Sequence, residues 1–107
     1  MERYGMVIRL RPEKEEEYIR LHENAWPEVC DMIRQCNITN YSIFLRDGFL
    51  FSYWEYIGNN YEVDMQKMAD DPKTREWWKL TDPCQVPVDG AEAGEKWTRM
   101  REVFHLD

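Results

Sequence analysis

His22 has Tyr18 four residues before it and Trp26 four residues after it. On a helix, spacings of four bring all three side chains onto one face. A titratable imidazole beside a phenol and an indole can exchange protons with a polar ligand while the rings hold the ligand's apolar face. The simpler account is a partly buried helix histidine bonded to a backbone carbonyl, and the pattern alone supports both. Trp77 and Trp78 are the next candidates. Consecutive helical residues point about 100° apart, so one indole can fill core while the other lines a pocket; structural use of both is the alternative. Tyr41 falls mid-strand, where a ring usually fills core, although its hydroxyl needs a partner if buried. His105 reads as a sheet or surface residue, and Asp82 and Glu55 are carboxylates outside any spaced pair. Gly-rich phosphate loops, GxSxG and metal-ligand spacings such as HExxH are absent, which argues against hydrolases of those kinds, metalloenzymes and nucleotide binders.

These residues need a scaffold, and 107 of them form one domain's worth of chain, read here as a single domain over 1–107. At this length roughly two thirds of the unfolded surface can be buried, enough for a real core but one dependent on packing or oligomerisation. Five Trp, six Tyr and four Phe are more rings than one small core needs, so some are expected in a pocket or between subunits. The net charge of −7 and the lack of Lys/Arg clusters argue against nucleic-acid and anionic-membrane partners. With no long apolar run and no signal-peptide pattern, a cytoplasmic protein is expected. Cys30, Cys36 and Cys84 have neither CxxC spacing nor a histidine neighbour and read as reduced thiols, mostly core.

Residues 4–10 alternate Tyr4, Met6, Ile8 and Leu10 against Gly5, Val7 and Arg9, the period of a strand. Pro12 and the acidic run to Glu17 suit a helix start, and apolar residues then recur by threes and fours from Tyr18 to Cys36. Pro27 requires a kink or break near 23–27, with Asn24 able to cap the fresh turn. Ile38–Arg46 and Phe49–Tyr56 read as strands joined by the hairpin pair Asp47-Gly48. Asn59 or Asn60 can cap a helix from Tyr61 to about Met68, and Asp71-Pro72 opens another that carries Trp77 and Trp78. Residues 83–96, rich in Pro, Gly and acids, are expected to be a loop packed on a partner, and residues 101–107 alternate as a last strand.

The order β-α-β-β-α-β is the ferredoxin-like pattern of the α+β class, an antiparallel sheet with helices on one face. Here Phe49, Phe51 and Tyr53 alternate with Leu50, Trp54 and Tyr56, so both sheet faces are apolar. Helices cover only one of them, and a homodimer packed sheet against sheet is expected to cover the other.

Four motifs in order, Tyr18-x3-His22-x-Asn24-x-Trp26-Pro27-Glu28, Asn40-Tyr41-Ser42-Ile43, Trp77-Trp78 and Glu102-Val103-Phe104-His105-Leu106, resemble the L-rhamnose mutarotase family. The resemblance runs from Met6 to the C-terminus and implies a dimeric ferredoxin-like α/β barrel that interconverts the anomers of a deoxy sugar. It further implies His22 as proton donor, with Tyr18, Tyr41, Trp77 and Trp78 contacting the sugar. The acidic 83–96 segment departs from the family's usual form. Mutarotation needs proton transfer alone, so no metal or cofactor is expected, and aromatic rings suit the C–H-rich face and methyl group of a 6-deoxy sugar.

Two rivals share the fold. A dimeric ferredoxin-like monooxygenase or haem-degrading protein also uses an aromatic pocket and a helix histidine, and a sugar- or peptide-binding module needs no catalysis. Fold alone does not separate them.

Overall fold

The computed structural model describes all residues 1–107. Its strands and helices follow in the order β1 (Glu2–Leu10), α1 (Glu15–Glu23), α2 (Pro27–Gln35), β2 (Ile38–Arg46), β3 (Phe49–Tyr56), α3 (Tyr61–Asp70), α4 (Pro72–Thr81), β4 (Gln85–Val86) and β5 (Thr98–Met100). The sheet order is β2-β3-β1-β4, with every pair antiparallel, and β5 also pairs with β1. β4 meets the C-terminal end of β1 and β5 its middle, so the fourth strand of the ferredoxin-like pattern is present in two pieces.

Local chemistry accounts for the element boundaries. Asp47 and Gly48 have φ of 53° and 78°, the left-handed pair that a type I′ hairpin turn requires. Asn60 Oδ1 accepts from Val63 N at the start of α3, and Asp71 Oδ2 accepts from Thr74 N at the start of α4. The predicted break before Pro27 is present, but Asn24 does not make the new cap. Its N–H instead closes the end of α1 on the Leu21 carbonyl, and Trp26, driven to extended backbone by the following proline, takes the capping place.

Two predictions at the C-terminal end are corrected. The 83–96 segment is not one loop, because Asp82–Cys84 form a 3₁₀ turn and Gln85–Val86 pair with β1. The remainder is largely exposed and makes ion pairs within its own chain, Lys96 Nζ–Asp82 Oδ2 at 2.6 Å and Arg9–Asp89 at 3.5 Å. The last strand is Thr98–Met100, whereas 101–107 are irregular and exposed. The ladder with β1 pairs Val7 with Thr98, Met6 with Arg99 and Gly5 with Met100, and ends there. Arg3–Glu102 at 3.0 Å follows as a side-chain contact. Val103, Phe104 and Leu106 lie bare at about four fifths exposure.

The helices cover the inward sheet face and divide its core in two. Tyr4, Cys36, Ile38, Tyr56 and Met68 form one buried cluster, and Ile8, Leu10, Tyr18, Leu50 and Cys84 form the other. Two of the three thiols, Cys36 and Cys84, are therefore core. The outward face carries Phe44, 63 % exposed, beside Phe51 and Met100, with nothing packed over it. No helix is long and apolar enough to cross a membrane.

Candidate active site

Between the two clusters the inward residues of the sheet become smaller or stand further back. β1 presents Met6 between Tyr4 and Ile8, and β3 presents Ser52 between Leu50 and Trp54. The helices do not fill the gap, and a cavity of about 560 Å³ remains. That is the size range of small-molecule sites. A second depression, about 610 Å³ and wide open, lies along Gln66, Lys67, Asp70 and Asp71. It has no aromatic wall.

All five candidate residues line the cavity. α1 supplies Tyr18 and His22 one turn apart, with ring centroids at 4.2 Å. α4 supplies Trp77, whose ring meets His22 edge-on at 5.3 Å, and Trp78, which also leans on the Tyr4–Tyr56 cluster. β2 supplies Tyr41, set edge-on against Trp54 at 5.0 Å. The helix break at residues 24–26 changes one expectation. Trp26 packs on Trp77 at 5.3 Å, outside the cavity wall, so the four-residue spacing does not carry it to the ligand space.

The histidine is partly buried, bonded to a backbone carbonyl, and also lines the cavity. Its Nδ1 lies 2.9 Å from the Tyr18 carbonyl oxygen, which can only accept, so Nδ1 carries the proton. In the neutral ring Nε2 is then an unprotonated base. Burial lowers the His22 pKa below its ordinary 6.5, partly opposed by that carbonyl. The phenols behave differently. Tyr18 accepts from Gln85 Nε2 at 3.3 Å, and burial, slightly countered by this bond, pushes its pKa up to about 12. Tyr41 keeps 38 % of its surface exposed, yet its phenol group is desolvated and its pKa raised strongly. Both remain protonated donors near neutral pH.

Sequence reasoning missed several wall residues. Trp54 shares the inward face with Leu50 and Tyr56, so strand alternation could have found it. Its Nε1 is buried without a well-formed hydrogen bond, although it is near enough to the Tyr61 hydroxyl to oppose slightly the burial that pushes that phenol to about 12. Trp97 and Lys96 reach the rim from an irregular segment, where no periodicity marks a face. Lys96 is held there by Asp82, which also lines the rim; Glu55 and His105 lie outside the wall. Cys30, the third thiol, lines the cavity instead of joining the core clusters.

A donor–acceptor set of imidazole, phenols and amide, enclosed by indoles and free of a nucleophile–base pair, is suited to moving protons on a small, partly apolar ligand. A family model described as L-rhamnose mutarotase matches residues 3–106. The chain belongs to the L-rhamnose mutarotase family. The mutarotase of Oceanobacillus iheyensis is 33 % identical over 107 residues, with both chains covered in full. The crystal structure of the Formosa agariphila L-rhamnose mutarotase superposes with a TM-score of 0.77 at 20 % identity, again covering both chains in full. The Streptomyces glaucescens tetracenomycin F2 cyclase gives a TM-score of 0.70 at 12 % identity, which shows the fold alone. The same ferredoxin-like scaffold thus occurs with an unrelated activity, and family membership rests on the sequence match. That match runs along nearly the whole chain to mutarotases, and the monooxygenase or haem-degrading reading drawn from fold is set aside on that ground.

Proposed function

We propose that this chain, working as one domain over 1–107, interconverts the α and β anomers of L-rhamnose or a related 6-deoxy sugar. His22 carries the proton, and Tyr18, Tyr41, Trp77 and Trp78 contact the sugar. The observation behind this reading is that the five residues share one cavity wall in a chain of the mutarotase family. Neutral His22 takes the anomeric hydroxyl proton at Nε2, the C1–ring-oxygen bond breaks, and the imidazolium so formed returns its Nε2 proton to the ring oxygen. The open-chain aldehyde rotates about C1–C2 and recloses with the reverse proton movements. Positioned proton transfer of this kind contributes typically ~10²–10⁴ in rate. The indoles bury the C–H face and methyl group while Tyr18 and Tyr41 donate at the hydroxyl edge.

The active form proposed is a cytoplasmic homodimer that covers the outward sheet face and the bare C-terminal segment, completing a dimeric α/β barrel. Exposed aromatics at Phe44, Phe51 and Phe104 support this reading, since solvated monomers avoid such patches. Anomer exchange, followed by saturation-transfer NMR or polarimetry over L-rhamnose, L-fucose and other deoxy sugars, tests the function. Acceleration is expected for L-rhamnose or a close relative, and rates equal to buffer for every sugar reject it.

A further inference from the structure

The direction in which Tyr41 points depends on an irregularity in β2. Pairing with β3 is regular at Ile38–Tyr56 and Thr39–Glu55, and regular again from Ser42–Tyr53 to Arg46–Phe49. Between these stretches two residues, Asn40 and Tyr41, stand opposite Trp54 alone. This is a β-bulge. One extra residue exchanges the faces of everything that follows it. Ile38, before the bulge, is buried inward. Unbroken alternation from there would send Asn40 and Ser42 inward, and Tyr41 and Ile43 to the open face. With the bulge, Tyr41 and Ile43 join the cavity wall.

The extra residue is Asn40, at φ 51°. This left-handed region is accessible to Gly and Asn and strongly disfavoured for β-branched residues. The Asn40 side chain is anchored as well. Its Nδ2 donates to Glu55 Oε2 at 3.0 Å, and the same oxygen accepts from the Tyr53 hydroxyl at 2.7 Å. Asn40 itself does not line the cavity.

We infer that Asn40 is a positioning residue for the sugar site: its left-handed backbone and its bond to Glu55 hold the bulge that turns Tyr41 inward against Trp54. The inference rests on the mutarotase reading only where Tyr41 is assigned to the sugar; the placement of the ring is a separate observable. In the test, Asn40→Val, Asn40→Gly and the milder Asn40→Ala are compared with the unaltered protein by ring-proton NOEs between Tyr41 and Trp54, and by KM and kcat for anomer exchange. Asn40→Val is expected to lose the NOEs and raise KM about tenfold with kcat nearly kept, as loss of a binding contact does. Asn40→Gly, which keeps the left-handed turn, is expected to recover the NOEs and most of the affinity. If Asn40→Val does not fold, Asn40→Ala is expected to show the same changes in smaller degree. In a Tyr41→Ala background, Asn40→Val should raise KM no further, because it acts through that ring. NOEs that persist in a folded Asn40→Val, NOEs of undiminished intensity in Asn40→Ala, or a full additional KM rise in the Tyr41→Ala background, overturn the inference. If the unaltered protein shows the NOEs without exchanging anomers of any sugar, the mutarotase reading fails. The Asn40 placement is then judged by the NOEs of the variants alone.

Discussion

The two faces of the sheet are built from alternate residues of the same strands, and they differ in what is mixed with the rings. Inward, Met6, Tyr41, Ser52 and Trp54 surround a cavity in which His22, Tyr18 and Gln85 supply fixed donors and acceptors. Outward, Phe44, Phe51 and Met100 leave apolar surface exposed on an open face with no cavity over it, and the Tyr53 hydroxyl on that face is already bonded to Glu55. A hollow wall with a few oriented polar groups can bind and transform a small molecule. A filled, uncovered apolar surface has only association to offer. The rings of the sheet therefore divide between a cavity wall and an open face according to strand parity, and a single bulge sets that parity in β2.

The largest expected effect that would break this division is on the inward side. His22→Asn removes the proton carrier but keeps a polar side chain of similar reach. It should lower kcat ~10²–10⁴-fold with little change in KM or in the thermal melt. Near-normal exchange in the folded variant would remove His22 from its role. Trp77 is 7 % exposed and braces both His22 and Trp26, so its ring is wall and core together. Trp77→Ala should cost about 3–5 kcal/mol in chemical denaturation, as large core truncations do. Trp78, less buried, should lose less stability on the same change and show its loss mainly in KM. Equal destabilisation by the two variants would contradict the partition.

On the outward side, Phe44→Glu places a charge where Phe44 faces Phe51 across the ladder. Burying that charge against a second copy costs several kcal/mol unless it is paired. The unaltered protein is expected to sediment as a dimer at low micromolar concentration, and the variant as a monomer. A monomeric mass for the unaltered protein with full activity would show that the open face has no such role.

Much of this was legible in the sequence, for identifiable reasons. β2 and β3 and the Asp47-Gly48 turn were readable because left-handed turn residues and runs of aromatic and β-branched residues are local signals. The cavity residues on α1 and α4 were readable because helical spacing and the family motifs agree on them. The 101–107 strand was misread because alternation states that a strand has two faces, not that a partner strand exists beside it. The rim residues Lys96 and Trp97 were invisible because an irregular segment is placed by its own ion pairs and turns, such as Lys96–Asp82, which leave no period in the sequence. Asn40 sits inside a quoted motif, yet only the φ of 51° reveals what it does.

The mildest test sharpens the chemistry of the inward face through pH. Burial lowers the His22 pKa because desolvation penalises the imidazolium, and the Tyr18 carbonyl only partly compensates. The active form assigned here is the neutral ring with Nε2 free, so it is populated above that lowered pKa. Exchange, corrected for the uncatalysed rate, should therefore rise with pH along a limb below 6.5 and be flat from about pH 7 upward. No second limb is expected before pH 9, because Tyr18 is held up to about 12 and Tyr41 is raised as well. Were the imidazolium the required form, the sign would reverse: kcat/KM would fall as pH rises through the His22 pKa, leaving little activity at neutrality. A rising limb that disappears in His22→Asn ties the titration to this ring. A limb of unchanged position in that variant would assign it to another group.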